Sequence, residues 1–130
     1  MSANCSPRSL VKRLVIADDR AGTRRALRAV LTTQPGLELV GEAADGEEAI
    51  SAVERLRPDA VILDIWMPRL DGIAATTQIK ARWPEIRVVV HSLAEELSED
   101  VLAAGADAFV PKGAPAAELL RALRTEDPGS

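Results

Sequence analysis

Short apolar runs alternate along the chain with segments in which apolar residues recur at helical spacing. The runs are rich in β-branched residues and do not alternate with polar positions, which is typical of strands buried on both faces. They lie at 14–18, 37–43, 60–64, 87–92 and 108–112. Apolar residues three or four positions apart predict helices over about 23–31, 49–56, 71–82, 96–104 and 115–124.

Five strands that alternate with five helices predict an α/β fold around a parallel sheet. We expect a (βα)5 doubly wound, flavodoxin-like sandwich with strand order 2-1-3-4-5. Pro111 has no backbone N–H, so the fifth strand should lie at an edge or end there. The pattern places one domain at 11–124, after a disordered leader over 1–10 and before a tail or the start of a linker over 125–130.

Composition restricts the classes of function. The 130 residues suit one domain, with 47% hydrophobic and 28% charged residues. Acidic residues outnumber basic ones by 20 to 16, so we expect no contact between this chain and nucleic acid. No apolar run approaches the ~18 residues of a membrane span. Cys5 is the single cysteine and no secretory signal precedes Leu10, which indicates the cytoplasm.

Polar side chains stand at the carboxyl ends of four predicted strands. The first strand ends in Asp18 and Asp19, the third in Asp64 and the fourth in Ser92; the fifth ends in Lys112. Ligands of open parallel sheets bind beyond these ends, near the point where the strand order reverses. In the order 2-1-3-4-5 the first and third strands are neighbours, so three carboxylates should share one crevice.

Three neighbouring carboxylates repel one another unless a cation lies among them. Oxygen ligands in small number favour Mg²⁺, which often shares its coordination with a phosphate. Lys112 supplies a fixed positive charge and Ser92 supplies a hydroxyl donor, and both suit phosphoryl oxygens. The set predicts phosphoryl transfer with a carboxylate as acceptor, and the central Asp64 is the best candidate. His91 is interpreted as a packed strand residue.

The same motifs resemble the receiver (CheY-like) domain of bacterial two-component response regulators. They are Asp18-Asp19, DIWMP at 64–68 with DG at 71–72, Ser92 after RVVVH, and GADAFVPKG at 105–113. The resemblance covers roughly residues 12–124. GEAADGEEAI after the second strand, and the glycine that follows Lys112, are most similar to the NarL/FixJ subfamily.

The resemblance implies a role for each candidate residue. Asp64 would be the phosphoacceptor, Asp19 a direct Mg²⁺ ligand, Asp18 the acid that holds metal-bound water, Trp66 a metal ligand through its carbonyl, Lys112 and Ser92 the ligands of the phosphoryl oxygens, and Phe109 an aromatic switch residue that acts with Ser92. The implied phosphoryl donor is a sensor histidine kinase, and phosphorylation would promote a homodimer. The implied readout surface comprises the fourth helix, the fifth strand and the fifth helix. The implied output is transcription, through a DNA-binding domain absent from this chain.

The chain departs from the family pattern in three places. The stretch between Ser92 and Gly105 is shorter than usual, so the loop and helix there should be trimmed. Gly113 follows Lys112 where the family often has proline. Phe109 lacks the hydroxyl that a tyrosine would carry at the switch position.

Three other functions fit parts of the pattern. A stand-alone receiver would act through protein–protein contact. A magnesium-dependent phosphohydrolase of the haloacid-dehalogenase type needs a second aspartate two residues after its nucleophile, where this chain has Trp66. A flavodoxin-like FMN protein needs a Ser/Thr/Gly-rich phosphate loop after the first strand, where this chain has Asp18-Asp19-Arg20.

Overall fold

The predicted strands form one parallel sheet in a computed structural model, which describes residues 11–124. They are β1 (Lys12–Ala17), β2 (Leu37–Ala43), β3 (Ala60–Leu63), β4 (Arg87–Ser92) and β5 (Ala108–Pro111). Their order is β2-β1-β3-β4-β5, as predicted. β5 is an edge strand that ends at Pro111, which pairs with Ser92. The predicted leader (1–10) and tail (125–130) lie outside the described residues.

Within residues 11–124, five α-helices cover both faces of this sheet. They are α1 (Ala21–Leu31), α2 (Gly46–Leu56), α3 (Gly72–Arg82), α4 (Ser98–Ala103) and α5 (Ala116–Arg124). α1 and α5 pack on one face, and α2, α3 and α4 pack on the other. β3 is therefore buried along its whole length, which explains why its residues do not alternate between apolar and polar. In the part of the chain that the structure describes, no helix has the length and apolar character of a membrane span.

Helix α2 begins three residues before the first apolar position of its predicted pattern. The Asp45 side chain accepts a hydrogen bond from the Glu48 N–H at 2.8 Å. The Glu48 carboxylate in turn accepts one from the Ala44 N–H, also at 2.8 Å. The first of these bonds is an N-cap, which satisfies an N–H group that the start of a helix leaves unpaired, and the second ties Glu48 to the residue before the cap. The helix therefore starts at Gly46, where the sequence predicted a turn.

The segment between β4 and β5 contains two short helical elements. A single 3-10 turn at Glu95–Leu97 precedes α4, which has six residues. Six residues make fewer than two turns of an α-helix. Gly105 follows with a φ of 112°, a left-handed conformation that glycine adopts readily at the end of a helix.

Candidate functional site

The parallel sheet brings the predicted acidic residues, Ser92 and Lys112 together at the carboxyl ends of its strands. Asp18 directly follows β1, Asp64 directly follows β3 and Lys112 directly follows β5, while Ser92 is the last residue of β4. The ladder continues one residue past the strands: the Asp64 N–H donates to the Ala17 carbonyl and the Lys112 N–H donates to the Ser92 carbonyl, both at 3.0 Å. Backbone hydrogen bonds therefore fix the Cα positions from which these side chains extend.

Three carboxylates form the centre of the site. Oxygens of Asp18, Asp19 and Asp64 all lie within 4.8 Å of one another. Asp18 and Asp64 are buried and Asp19 is exposed. A hard divalent cation suits such a donor set, because carboxylates supply some ligands while the open side admits water or a phosphate oxygen. The residues present therefore fit Mg²⁺, as predicted.

Lys112 bridges the two buried carboxylates. Its Nζ lies 2.8 Å from Asp18 Oδ2 and 3.1 Å from Asp64 Oδ2. Burial disfavours the charged ammonium, but the hydrogen bond to Asp18 and the charges of both aspartates outweigh it, so the pKa of Lys112 is raised above its ordinary value. The site therefore contains a fixed positive charge beside the candidate acceptor.

Backbone N–H groups hold the other oxygen of each buried carboxylate. Asp18 Oδ1 accepts a hydrogen bond from the Arg20 N–H at 2.9 Å. Asp64 Oδ1 accepts one from the Ile65 N–H at 2.7 Å. Each carboxylate is thus oriented by one backbone N–H group and by Lys112. These contacts fix the orientation of the Asp64 carboxylate.

Ser92 is fully buried at the end of β4, and its hydroxyl makes a hydrogen bond to the loop that follows this strand. Its Oγ accepts a hydrogen bond from the Ala94 N–H at 3.2 Å. A hydroxyl that accepts one bond still carries a proton to donate. Ser92 is thereby linked to the loop between β4 and the 3-10 turn.

The predicted switch residue Phe109 lies away from the carboxylates. It is half-buried on β5 and packs against the core on the face covered by α2, α3 and α4. Together with Leu102 and Ser98 of α4 and with Glu95, it lines a groove between α4 and β5. The structure therefore places Phe109 in the surface between α4 and β5 rather than in the site.

A pocket of about 150 Å³ opens onto the carboxylates. It is lined by Asp19, Arg20, Asp64, Trp66, Leu93 and Lys112. Trp66 and Leu93 expose 58% and 70% of their surface, so they form an apolar rim. Sequence reasoning did not assign Arg20 and Leu93 to the site, although each directly follows a predicted site residue.

His91 lies on the opposite side of β4 from Ser92, within the electrostatic range of the site. Burial lowers its pKa and the charge of Lys112 lowers it further, although Asp18 and Asp64 oppose the shift. Its Nδ1 is buried without a hydrogen-bond partner among the described residues. A neutral imidazole packed in the strand fits these observations.

Comparisons with known proteins give the same family from sequence and from structure. The response regulator receiver domain family matches residues 14–124. Protein-glutamate methylesterase/protein-glutamine glutaminase 3 from Anaeromyxobacter dehalogenans is 45% identical over 103 residues, which are 77% of this chain and 30% of that protein. The chain therefore spans less than a third of that relative.

Two solved structures share the fold closely. The response regulator domain of Thermotoga maritima CheB superimposes with a TM-score of 0.81 at 34% identity, over 90% of this chain and 99% of that one. The receiver domain of NarL from Mycobacterium tuberculosis gives a TM-score of 0.82 at 27% identity, over 87% of this chain and 93% of that one.

These relatives come from more than one branch of the family, so the predicted NarL/FixJ subfamily is not separated from others by the comparisons. The receiver resemblance itself is confirmed, since the family match spans nearly all of the described residues. Receiver domains act as phosphoacceptor modules and bind Mg²⁺ at an acidic pocket of the kind described above. The chain belongs to the response regulator receiver domains of two-component signalling.

Proposed function

We propose that this chain accepts a phosphoryl group on Asp64 from a sensor histidine kinase and changes conformation to control an output. The observation that carries the proposal is the place of Asp64, which is buried, lies 3.1 Å from Lys112 and groups with two further carboxylates. We assign residues 11–124 to this unit, with 1–10 and 125–130 as flanking segments, and place it in the cytoplasm.

In the transfer step, a carboxylate oxygen of Asp64 forms a bond to phosphorus. The P–N bond of the donor phosphohistidine breaks, and its electron pair stays on the imidazole nitrogen. Asp18, Asp19, Asp64 and the Trp66 carbonyl would hold Mg²⁺. Bound there, the metal offsets the negative charge on the phosphoryl oxygens. Lys112 supplies a second positive charge to the same oxygens.

The conformational response begins at Ser92. A phosphoryl group on Asp64 brings new acceptor oxygens to the crevice, and the Ser92 hydroxyl can donate to one of them. A hydrogen bond to a charged group contributes about 1.5–3 kcal/mol, which shifts a two-state equilibrium about 10- to 150-fold. Because the Ser92 hydroxyl also accepts the hydrogen bond from the Ala94 N–H, the new bond draws the loop after β4 toward the phosphoryl group. Phe109 then turns inward.

The expected readout is the surface of α4, β5 and α5, on which Phe109 lies. Likeness to a LuxR-family DNA-binding response regulator from Staphylococcus aureus supports transcription as the output, through a DNA-binding domain outside this chain. The resemblance of the motifs to the NarL/FixJ subfamily further implies a homodimer formed on phosphorylation. The 45% identity to a methylesterase relative supports a second candidate, an enzymatic output domain controlled by the same receiver. A stand-alone receiver that acts through protein contacts uses the same surface.

The receiver is not proposed to be an enzyme beyond its own phosphorylation and dephosphorylation. Trp66 occupies the place where a phosphohydrolase of the haloacid-dehalogenase type has its general acid, and an indole does not protonate a leaving group.

The direct test of the phosphoacceptor function is the intact mass of the chain before and after incubation with acetyl phosphate and Mg²⁺. We expect the addition of one phosphoryl group that acid or hydroxylamine removes. An unchanged mass would overturn the proposal.

The phosphorylated form should be long-lived, because the Trp66 indole at the rim of the pocket and the methyl group of the buried Ala94 give an attacking water no polar partner. Trp66 lies two residues after Asp64 and exposes a bulky indole at the pocket, while Ala94 lies two after Ser92. We expect Trp66→Asn to speed the hydrolysis about five-fold, which corresponds to one hydrogen bond of about 1 kcal/mol to the attacking water. The decay of the phosphorylated mass after removal of acetyl phosphate measures the rate.

A matched control for this variant is Leu102→Asn. Leu102 is also a large exposed apolar residue, but it lies on α4 outside the pocket. Its substitution should leave the decay unchanged. Decay of the Trp66→Asn phosphoprotein at the parental rate or slower would contradict the role given to the indole.

A further inference from the structure

The loop that follows β3 carries much of the proposed metal site. This acceptor loop, residues 64–71, contains both Asp64 and Trp66. It is closed on itself by two backbone hydrogen bonds, from Gly72 N–H to the Ile65 carbonyl at 2.8 Å and from Leu70 N–H to the Pro68 carbonyl at 2.7 Å. Because a metal site tolerates little displacement of its ligands, contacts that hold the far side of this loop bear on the site.

The far side of the acceptor loop is attached to the start of α2. Arg69 Nε donates to Asp45 Oδ2 at 2.9 Å. The Asp45 side chain is 3% exposed, and its other oxygen caps the helix. Backbone packing reinforces the contact, because a Cβ on Gly46 would lie 2.7 Å from the Leu70 carbonyl carbon. The acceptor loop therefore contacts the start of α2 through two neighbouring pairs, Arg69 with Asp45 and Leu70 with Gly46.

The backbone of Arg69 adopts a conformation that is unfavourable for residues other than glycine. Its φ is 69°, in the left-handed region where glycine and asparagine are usual. Such a conformation persists where surrounding contacts fix it, and the hydrogen bond to Asp45 is a contact of that kind. The hydrogen bond from the Glu48 N–H and then the Arg69 guanidinium lower the pKa of Asp45, so the pair stays charged at neutral pH.

We propose that Arg69 is a positioning residue for the Mg²⁺ site. Its bond to Asp45 fixes the acceptor loop against α2, so that the Trp66 carbonyl and the Asp64 carboxylate keep the spacing that the metal needs. The proposal rests on the phosphoacceptor function given above and adds to it a residue whose side chain reaches α2, away from the reacting atoms.

The decisive variant is Arg69→Gly, because simple electrostatics and positioning predict opposite results. Removal of a positive charge from the acceptor loop should tighten Mg²⁺ binding if charge alone mattered. Loss of the support for the loop should weaken it about 10-fold, at the lower end of what such supports contribute to metal sites. Glycine also accepts a positive φ without strain, so the fold should be retained.

Mg²⁺ affinity can be measured without phosphorylation, from the shifts of the backbone amide NMR signals of residues 64–66 as MgCl₂ is added. The same spectra show whether the rest of the domain keeps its fold. In a second readout, the Mg²⁺ concentration that half-saturates the rate of phosphorylation by acetyl phosphate should rise, while the rate at saturating Mg²⁺ stays near the parental value.

A second variant, Asp45→Asn, breaks the same contact from the helix side. An asparagine keeps one oxygen to cap α2, but it presents an NH₂ group to Arg69, which is itself a donor. We expect a similar loss of affinity. The matched control is Glu54→Gln, which also removes one negative charge but breaks an ion pair between Glu54, near the end of α2, and Arg82, at the end of α3. Its affinity should stay near the parental value.

The outcomes separate this inference from the function on which it rests. If the parent binds Mg²⁺ and Arg69→Gly binds it equally well or more tightly, Arg69 has no positioning role. An equal loss in Glu54→Gln and Asp45→Asn would show that charge, not position, sets the affinity. If the parent itself bound no Mg²⁺ and took up no phosphate, the phosphoacceptor function would be overturned as well.

Discussion

Asp64→Asn should abolish the incorporation of acid-labile phosphate from acetyl phosphate in the presence of Mg²⁺. Its amide oxygen carries no full charge and is a poor nucleophile, so the bond to phosphorus does not form. The substitution preserves shape, and the new side chain can still accept the hydrogen bond that Asp64 Oδ1 takes from the Ile65 N–H at 2.7 Å. Lys112 keeps its 2.8 Å contact with Asp18, so the variant should fold. Intact mass after a fixed incubation measures the result.

Asp71→Asn is the matched control for this variant. Asp71 is the last residue of the acceptor loop and caps α3 by accepting a hydrogen bond from the Ala74 N–H at 2.9 Å, a role that asparagine also performs. It should label like the parent. If Asp64→Asn labelled to the parental extent, another carboxylate would be the acceptor, and the assignment of Asp64 would be wrong.

The fold could be predicted because two regularities of parallel sheets are visible in the sequence. Strands covered on both faces read as continuous apolar runs, and β3 is buried at each of its four positions. The position of the site followed from the topology alone: Asp18, Asp64 and Lys112 each directly follow a strand, and the carboxyl ends of parallel strands lie on the same side of the sheet. No knowledge of side-chain conformation was needed for that step.

What could not be predicted depends on contacts without sequence periodicity. The bond between Arg69 and Asp45 joins residues 24 positions apart and requires a left-handed backbone at Arg69, which an arginine gives no reason to expect. The start of α2 was placed too late, because its cap Asp45 and its first turn are polar while the prediction followed apolar spacing. The bond from the Ala94 N–H to Ser92 Oγ likewise depends on the path of a loop.

Gly72→Ala should have a large effect on stability, because the backbone of the acceptor loop occupies the space that a side chain would need. A Cβ at this position would collide with the Asp64 carbonyl oxygen and lie 2.8 Å from Ile65 Cα. Backbone atoms cannot rotate away as the end of a flexible side chain can. We expect the free energy of unfolding to fall by about 1–3 kcal/mol, the usual cost of overpacking, as measured by urea unfolding.

Gly22→Ala supplies a control of opposite sign. Gly22 also lies in the first turn of a helix, α1, but a Cβ there would meet no atom within 4 Å. Alanine should therefore stabilise the domain by about 0.5–1 kcal/mol, because it restricts the unfolded chain and favours the helix. If the two variants changed stability in the same direction, the close approach of Gly72 to the acceptor loop would not be the cause.

Phosphorylation of Gly72→Ala separates displacement of the site from unfolding. A domain stabilised by about 5 kcal/mol or more stays almost fully folded after losing 1–3 kcal/mol, so unfolding alone would hardly change the rate. A shift of the Asp64 backbone, in contrast, moves the acceptor carboxylate relative to Lys112, and a displacement of about 1 Å can cost about 100-fold in rate. We therefore expect the rate of labelling to fall far more than the folded fraction does. A stable variant that labels at the parental rate would show that the acceptor loop can shift to accommodate the methyl group without moving the Asp64 carboxylate.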